Sequence, residues 1–445
     1  MRFVSYERIM IEGINNTSSI VLNGARVVRA DRVEDHATIH IEGDLISRII
    51  TGAHEETNVA AGPIIDLQGL TLFPGFIDVH IHGAVGVDTL EATTDDLRRV
   101  AKFLASRGVT AWLPTLVPAP AADYRRAVAS IETLIREQRR DEEANSRASV
   151  GATEETEGAG NEDALGAVGA RALGVHYEGP FVNSSQCGAL RTEFFRTFKD
   201  ASSLDELAKL SVELASPDDS RAAHMITVAP EIEGGIALVR ELVSRGWIVS
   251  VGHTRADLHV LEAARAAGAR HMTHFFNAMS PLHQRAPGPV GWGLMSDDVT
   301  CDIIADGVHC DPLMLRLALR CKTAHRLALI SDAVLPAGLG DGDFEVWGET
   351  INVTGGRTRN ARGAIAGSVI TMLDAARTML SLDCSHADVA RMASLNPARL
   401  VGVEHLCGSI EEGKRADLVA LDDGGRVRLT LVGGRIAFME MPTES

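Results

Sequence analysis

From Gly75 to Asp332 the chain alternates short apolar runs with longer stretches in which apolar residues recur every three or four positions. The runs are Gly75–His82, Val109–Thr115, Leu173–Glu178, Ile226–Ala229, Ile248–His253, His271–Phe275, Asp302–Asp306 and Leu327–Asp332, each of strand length. Most are separated by stretches with the spacing of a helix that buries one face: Asp95–Arg107, Ala121–Glu137, Ile236–Arg245, Asp257–Ala267 and Pro312–Lys322. Eight strands set apart by helix-sized segments predict an α/β fold, a closed (β/α)8 TIM-like barrel rather than an open sheet.

The two ends of the chain read differently. Ile20-Val21-Leu22 runs into Asn23-Gly24, and Thr38-Ile39-His40-Ile41 into Glu42-Gly43-Asp44. Asn-Gly between apolar runs is a hairpin signal. Toward the other end, Asp417–Leu421 is followed by Asp422-Asp423-Gly424-Gly425, then by Val427–Val432, Gly433-Gly434 and Arg435–Phe438. Two β-rich ends around a different middle predict one small β-sandwich assembled from both. The expected division is 18–72 and 401–440 for the sandwich and 73–400 for the barrel. Residues 141–169 are rich in Glu, Ala, Gly and Ser and poor in large apolar groups, which predicts an acidic surface loop between the second helix and the third strand.

Composition narrows the function classes. With 445 residues, 45% hydrophobic and 23% charged, the chain can bury a large core. A net charge of −17 argues against nucleic acid or an anionic membrane surface as partner. Cys187, Cys301, Cys310, Cys321, Cys384 and Cys407 form no close pair, which suits a reducing compartment and suggests neither a disulfide framework nor a zinc knuckle. Residues 1–16 carry Arg2, Glu7, Arg8 and Glu12 and no apolar core of a secretory signal, and no run is long enough to span a membrane. A cytoplasmic location is expected.

The chemistry gathers at strand ends, where barrel enzymes keep their active sites. The first expected strand ends in His80-Ile81-His82, the third in Glu178, the fifth in His253, the sixth in His274 and the eighth in Asp332. A single strand-end histidine is more often structural than a ligand. Imidazole or carboxylate at five of eight ends of one face is another matter. These groups suit a divalent metal such as zinc or iron, with a position left open for water. His80 and His82 lie two apart, so on a strand both point to one side, as a shared metal requires. Asp332 is the natural general base, able to take a proton from water and pass it to a departing nitrogen. His176 shares the parity of Glu178 and reads as a core histidine beneath it.

The same stretches resemble the amidohydrolase superfamily and, within it, the N-acetylglucosamine-6-phosphate deacetylase family. The matching motifs are Pro74-Gly75-Phe76-Ile77-Asp78-Val79-His80-Ile81-His82-Gly83, His176-Tyr177-Glu178-Gly179-Pro180-Phe181, Val251-Gly252-His253-Thr254 and Thr273-His274-Phe275-Phe276-Asn277-Ala278-Met279. Ala305-Asp306-Gly307-Val308-His309, Ser331-Asp332-Ala333, Asn396-Pro397-Ala398 and Gly413-Lys414-Arg415-Ala416-Asp417-Leu418 continue the match. The resemblance covers about Ile20 to Phe438. The His-x-His pair is common to many amidohydrolases, whereas Glu-Gly-Pro and His-x-x-Asn-Ala-Met are much more specific.

This resemblance implies hydrolysis of N-acetyl-D-glucosamine 6-phosphate to D-glucosamine 6-phosphate and acetate. It implies Glu178, His253 and His274 as ligands of the catalytic metal, Asp332 as acid and base, and His80 and His82 as ligands permitting a second ion. For the substrate it implies Ala189, Asn277, Ala278, His309 with Asp306, a sugar wall at Ile365-Ala366-Gly367, and Arg285 supplied across a homodimer. An arginine and a histidine near backbone N–H groups suit a phosphate. One departure stands out. Where the family has Lys-Gly-Ala-His, this chain has Cys187-Gly188-Ala189-Leu190, followed by Arg191. Leu190 cannot donate a hydrogen bond. Either the metal polarises the acyl carbonyl unaided, or Arg191 replaces the donor, or the substrate differs. The competing readings are a hydrolase of another N-acyl amino sugar or of a cyclic amide, and a non-catalytic binding barrel. Cyclic amidases of the superfamily bridge their metals with a strand-four lysine, and Ile226–Glu231 contains none.

Overall fold

The computed structural model describes residues 13–15, 17–52, 62–150, 168–212 and 222–440. All eight expected runs are strands: Phe76–Ile81, Val109–Leu116, Gly174–Glu178, Ala223–Val228, Ile248–Val251, His271–Met272, Thr300–Ile304 and Leu327–Ile330. Each pairs in parallel with the next around the ring. Nearly every residue in them is buried, as expected of strands covered by helices outside and packed side chains inside. Between the eighth and first strands the ladder is replaced by mixed bonds. Asp332 N donates to His80 O at 2.9 Å and His82 N to Ala333 O at 2.8 Å. The fully buried Asp78 accepts from Ser331 N and His80 N, both at 3.3 Å. Below the strand ends the interior is threaded by a polar string. His176 has both ring nitrogens engaged, Nδ1 with Val79 O at 3.0 Å and Nε2 with Thr227 Oγ1 at 2.9 Å, and is a core residue as its parity suggests.

The helices begin and end where their caps dictate. Thr94–Ser106 starts with a reciprocal capping box between Thr93 and Asp96, and Leu258–Ala267 runs from the Asp257 cap to Gly268 at φ 112°. One expectation is corrected. The second helix spans Ala121–Val150, so residues 141–150 of the expected loop are helical. Its extension is anchored from outside: Glu142 accepts from Arg415 Nη2 at 2.8 Å, and the Gln138 amide bridges Ala172 N and Ala170 O. Residues 151–167 of that expected loop lie outside the described residues.

Both ends of the chain build one mixed eight-stranded sheet. Its order is Arg435–Met439, Val427–Val432, Leu418–Leu421, Thr71–Pro74, Ser19–Val28, Val33–Glu42 and Leu45–Thr51, with Ile64–Asp66 also paired to Ser19–Val28. The sheet doubles back, so that Ile46 N donates to Lys414 O and Gly413 N to Ile46 O, both at 2.8 Å. Ile20, Leu22, Ile39, Ile41, Leu72, Leu418 and Leu431 fill the space between its layers. Asn23-Gly24 is not a hairpin turn but a bulge inside the first strand: two residues face Thr38 between the pairs Leu22↔Ile39 and Ala25↔Ala37. Gly24, at φ 79°, supplies the conformation a bulge needs, and Asn23 Oδ1 accepts from Thr38 Oγ1 at 2.9 Å. The expected turn at Gly43-Asp44 is present between Glu42 and Leu45.

A three-stranded antiparallel sheet, Gly342–Val346, Glu349–Thr354 and Arg357–Asn360, follows the eighth barrel strand and was not anticipated. Its strands alternate exposed with less exposed residues, and the buried side packs Val346, Ile351 and Ala366 together. Among the described residues no helix is long and apolar enough to cross a membrane.

Candidate active site

His80 and His82 stand at the end of the first strand with Ile81 between them, and Glu178 is the last residue of the third. His253, His274 and Asp332 each lie two residues beyond their strand, at φ 47°, 33° and 49°. Non-glycine residues rarely adopt this left-handed conformation, which costs of order 1–3 kcal/mol. Each is held there by its surroundings. Asp302 Oδ1 accepts from His274 N, and Asp302 O from the next N–H, that of Phe275. Asn183 N donates to His253 O at 3.1 Å, and Ser368 N to Asp332 O at 2.7 Å.

The six side chains converge, all less than a tenth exposed. His253 Nε2 and His274 Nε2 each lie 2.9 Å from Glu178 Oε1 and 3.0 Å from one another. On the other side, His80 Nε2 and His82 Nε2 are 3.1 Å apart, and His82 Nε2 is 3.2 Å from Glu178 Oε2. Asp332 Oδ1 is 3.4 Å from both of these nitrogens. Two ligand groups therefore share Glu178: His80, His82 and Glu178, and Glu178, His253 and His274. Imidazole nitrogens facing each other at about 3 Å need a proton or a cation between them. Buried nitrogen and carboxylate donors in such trios suit a divalent ion. The residues fit a metal.

Burial works against charge on Glu178, His82, His274 and His80, and in the first three the partners outweigh it. Glu178 is held well below the usual carboxylate range because bonds and charge from His253, with bonds from His274 and His82, outweigh desolvation. Against burial, Asp332 and Glu178 push His82 up to about 10, and Glu178 pushes His274 up to about 9. His80 falls well below its ordinary value, since burial dominates there.

A cavity of about 280 Å³ opens over this cluster. Of the residues expected at the substrate, Ala189, Asn277, Ala278, His309, Ile365 and Gly367 line it, and Leu190 does too. Asp306 stands one step back: it accepts from Val308 N and His309 N at 2.8 Å and meets His309 Nδ1 at 2.7 Å, fixing that ring. Ala366 lies behind the wall, buried with Val346 and Ile351. Arg285 is exposed and lies outside the cavity of its own chain. Arg191 is not drawn in either, since its guanidinium sits over the Phe194 ring at 4.6 Å.

Sequence reasoning missed Trp347, which lines the cavity from the turn of the three-stranded sheet. Its Nε1 donates to Asp88 Oδ2 at 2.7 Å, and its ring meets His82 edge-on at 5.3 Å. Asp302 and Asp78, which position the strand ends, were also missed. A larger open cleft of about 680 Å³, lined by Asn183, Arg196, Lys199 and Glu231, holds none of the clustered ligands. Convergent chemistry, not size, assigns the site.

A (β/α)8 barrel with two histidine–carboxylate trios at its strand ends defines a metal-dependent hydrolase of the amidohydrolase kind. Comparison bears this out: the amidohydrolase family pattern matches residues 71–437, and the chain belongs to that family. Within it the chain is a member of the N-acetylglucosamine-6-phosphate deacetylases. It is 35% identical to the N-acetylglucosamine-6-phosphate deacetylase of Bacillus subtilis, covering 95% of this chain and 98% of that one. It is equally 35% identical to an N-acetylgalactosamine-6-phosphate deacetylase of Escherichia coli O157:H7, over 82% and 87% of the two chains. Among solved structures, a mutant N-acetyl-D-glucosamine-6-phosphate deacetylase of Mycobacterium smegmatis in complex with N-acetyl-D-glucosamine 6-phosphate superposes with a TM-score of 0.78. The two are 28% identical, over 95% of this chain and 100% of that one.

Proposed function

We propose that the chain hydrolyses the acetamide of N-acetyl-D-glucosamine 6-phosphate, releasing D-glucosamine 6-phosphate and acetate. The observation that carries this reading is Asp332 poised 3.4 Å from the paired His80 and His82 nitrogens, at the rim of two trios sharing Glu178. The relatives named above act on such substrates by their names. In this reading His253, His274 and Glu178 hold one divalent ion, and His80, His82 and the same glutamate permit a second. Zinc is the expected ion and iron the alternative. A bound divalent ion supplies Lewis acidity to the acyl carbonyl and lowers the pKa of water.

Asp332 does the proton work. It takes a proton from the attacking water as oxygen bonds to the acyl carbon, and delivers it to the nitrogen as the C–N bond breaks. Amide plus water thus becomes carboxylic acid plus amine, and transfer of the acid's proton leaves carboxylate and ammonium. Asn277, the Ala278 backbone and His309, steadied by Asp306, receive the 6-phosphate, while Ala189 and Ile365–Gly367 border the sugar. Arg285 is exposed in its own chain, and we assign it to the phosphate of the neighbouring subunit's site in a homodimer. A cytoplasmic location belongs to the same proposal and is supported by six free cysteines.

Asp332→Asn tests the mechanism. It should keep the fold and the metal content but lower kcat at least about a hundredfold, the usual scale for a lost acid/base. Near-normal turnover in the metallated variant would exclude Asp332. A second reading, the galacto epimer, draws on the equal identity to the E. coli relative. Comparing kcat/KM for the two epimeric 6-phosphates decides between them.

A further inference from the structure

The cavity has two unlike sides. Asn277 and His309 make one side polar. The other is built by Leu190, Trp347 and Ile365. Leucine and isoleucine have no donor, and the single N–H of Trp347 is already given to Asp88. Asp88 is itself occupied further, accepting from Leu90 N at 2.9 Å. No side chain of this wall can therefore hydrogen-bond a carbonyl.

The wall stands directly beside the metal trios. Trp347 packs edge-on against His82, a member of one trio. The segment carrying Leu190 passes over His253, a member of the other: a Cβ on Gly188 would lie 3.7 Å from His253 Cε1. The wall is also backed by apolar matter. Behind it Val346, Ile351 and Ala366 form their own buried cluster, against which Ala189, Leu335, Phe344 and Trp347 pack. This cluster backs Trp347 and the barrel core holds Leu190, which gives a fixed apolar surface beside the trios, with Ile365 exposed at its edge.

We propose that Leu190 and Trp347, continued by Ile365 where the wall meets the sugar, form an apolar acyl subsite, and that the chain removes N-acyl groups longer than acetyl at least as well as acetyl. The inference rests on the N-acyl amino-sugar phosphate reading and names the acyl class that this reading leaves open. The acyl carbonyl turns to the metal trios, and the alkyl chain lies on the wall. The reaction is unchanged: water adds to the acyl carbon, the C–N bond breaks, and a longer carboxylate leaves.

The test is kcat/KM for the N-acetyl, N-propionyl and N-butyryl derivatives of D-glucosamine 6-phosphate. In the wild type the propionyl-to-acetyl ratio should be one or more, up to about fourfold for one added methylene buried on the wall. Leu190→His places a polar ring in the subsite and should lower the ratio. Leu190→Ala keeps the wall apolar and only widens it, so the ratio for butyryl should rise. A wild-type ratio below one overturns the subsite. So does a ratio that neither folded variant shifts. If no N-acyl amino-sugar 6-phosphate is turned over at all, the activity reading itself fails and the subsite falls with it. That failure shows as no product, and failure of the subsite alone shows as turnover in the wrong order.

Discussion

At the scale of single residues, the site depends on three positions that the backbone would not choose for itself. His253, His274 and Asp332 turn their side chains into the site from left-handed conformations two residues past a strand. For His274 the restraint is Asp302, which is fully buried, pairs with His271 Nε2 at 2.9 Å and accepts from the His274 backbone. Asp302→Ala removes this acceptor. The ion proposed at His253 and His274 should then be lost or bound at least tenfold more weakly, while the one at His80 and His82 stays. Anomalous scattering on crystals of the metallated variant would read this directly; equal occupancy of both positions would show that Asp302 is dispensable. The six clustered side chains were legible in the sequence because each sits at or two past the end of an apolar run. Asp302 was not, because it stands at the start of the apolar run read in the sequence, although it lies within the strand Thr300–Ile304, and an aspartate there gives no sign of what it reaches. Trp347 was hidden for a related reason: its partner Asp88 is 259 positions away.

At the scale of elements, ion pairs of buried arginines join the sandwich to the barrel. Arg171 Nη2 donates to Asp417 Oδ2 at 2.7 Å, and Arg415 binds Glu142 at 2.8 Å and, within the sandwich, Asp44 at 2.7 Å. Burial would raise the pKa of Asp417, but Arg171 and Arg415 outweigh it and hold the carboxyl below its ordinary value. A carboxyl whose folded-state pKa is depressed gives stability that is present above its unfolded pKa, near 4, and lost as pH falls through the folded value. Asp417→Asn should therefore cost about 3–5 kcal/mol at neutral pH, the range for stranding a buried partner charge. The difference in Tm from wild type should narrow as pH drops below about 4. A constant difference across that range would mean that the side chain's charge is not what stabilises this junction. The same network explains why the second helix outran its sequence signal. Residues 141–150 lack an apolar stripe; Glu142 is anchored by Arg415, far off in the chain, and the preceding Gln138 by Ala170 and Ala172. The three-stranded sheet did carry a sequence signal, alternation in Asp343-Phe344-Glu345-Val346 and Ile351-Asn352-Val353, but strands so exposed are hard to tell from loop.

At the scale of the whole molecule, one chain lines the cavity with residues of both trios and with Leu190, Trp347 and Ile365, and its own Arg285 is exposed and apart from it. If the partner subunit's Arg285 serves the phosphate, Arg285→Ala should raise KM for the 6-phosphate substrate about ten- to a hundredfold. kcat should fall less, because the phosphate lies away from the breaking bond. Dilution that separates wild-type subunits should reproduce the effect. An unchanged KM in both experiments would remove Arg285 from the site. The fold plan at this scale was the part most plainly written in the sequence, since eight apolar runs and two β-rich ends are features of pattern rather than of contact.

The sheet shared by both chain ends also bears on how the protein is made. Thr71–Pro74 pairs along one side with Leu418–Leu421, so that side stays bare until the last strands have been synthesised. About 340 residues separate the two, which at roughly 5–20 residues per second is on the order of 20–70 s of ribosome time. Through that interval the early strands expose both an unpaired edge and the apolar face that Leu418 and Leu431 later cover, the combination most prone to wrong pairing. The sheet closes only when the final strands arrive, so translation stalled before Leu418 leaves an open, adhesive flank.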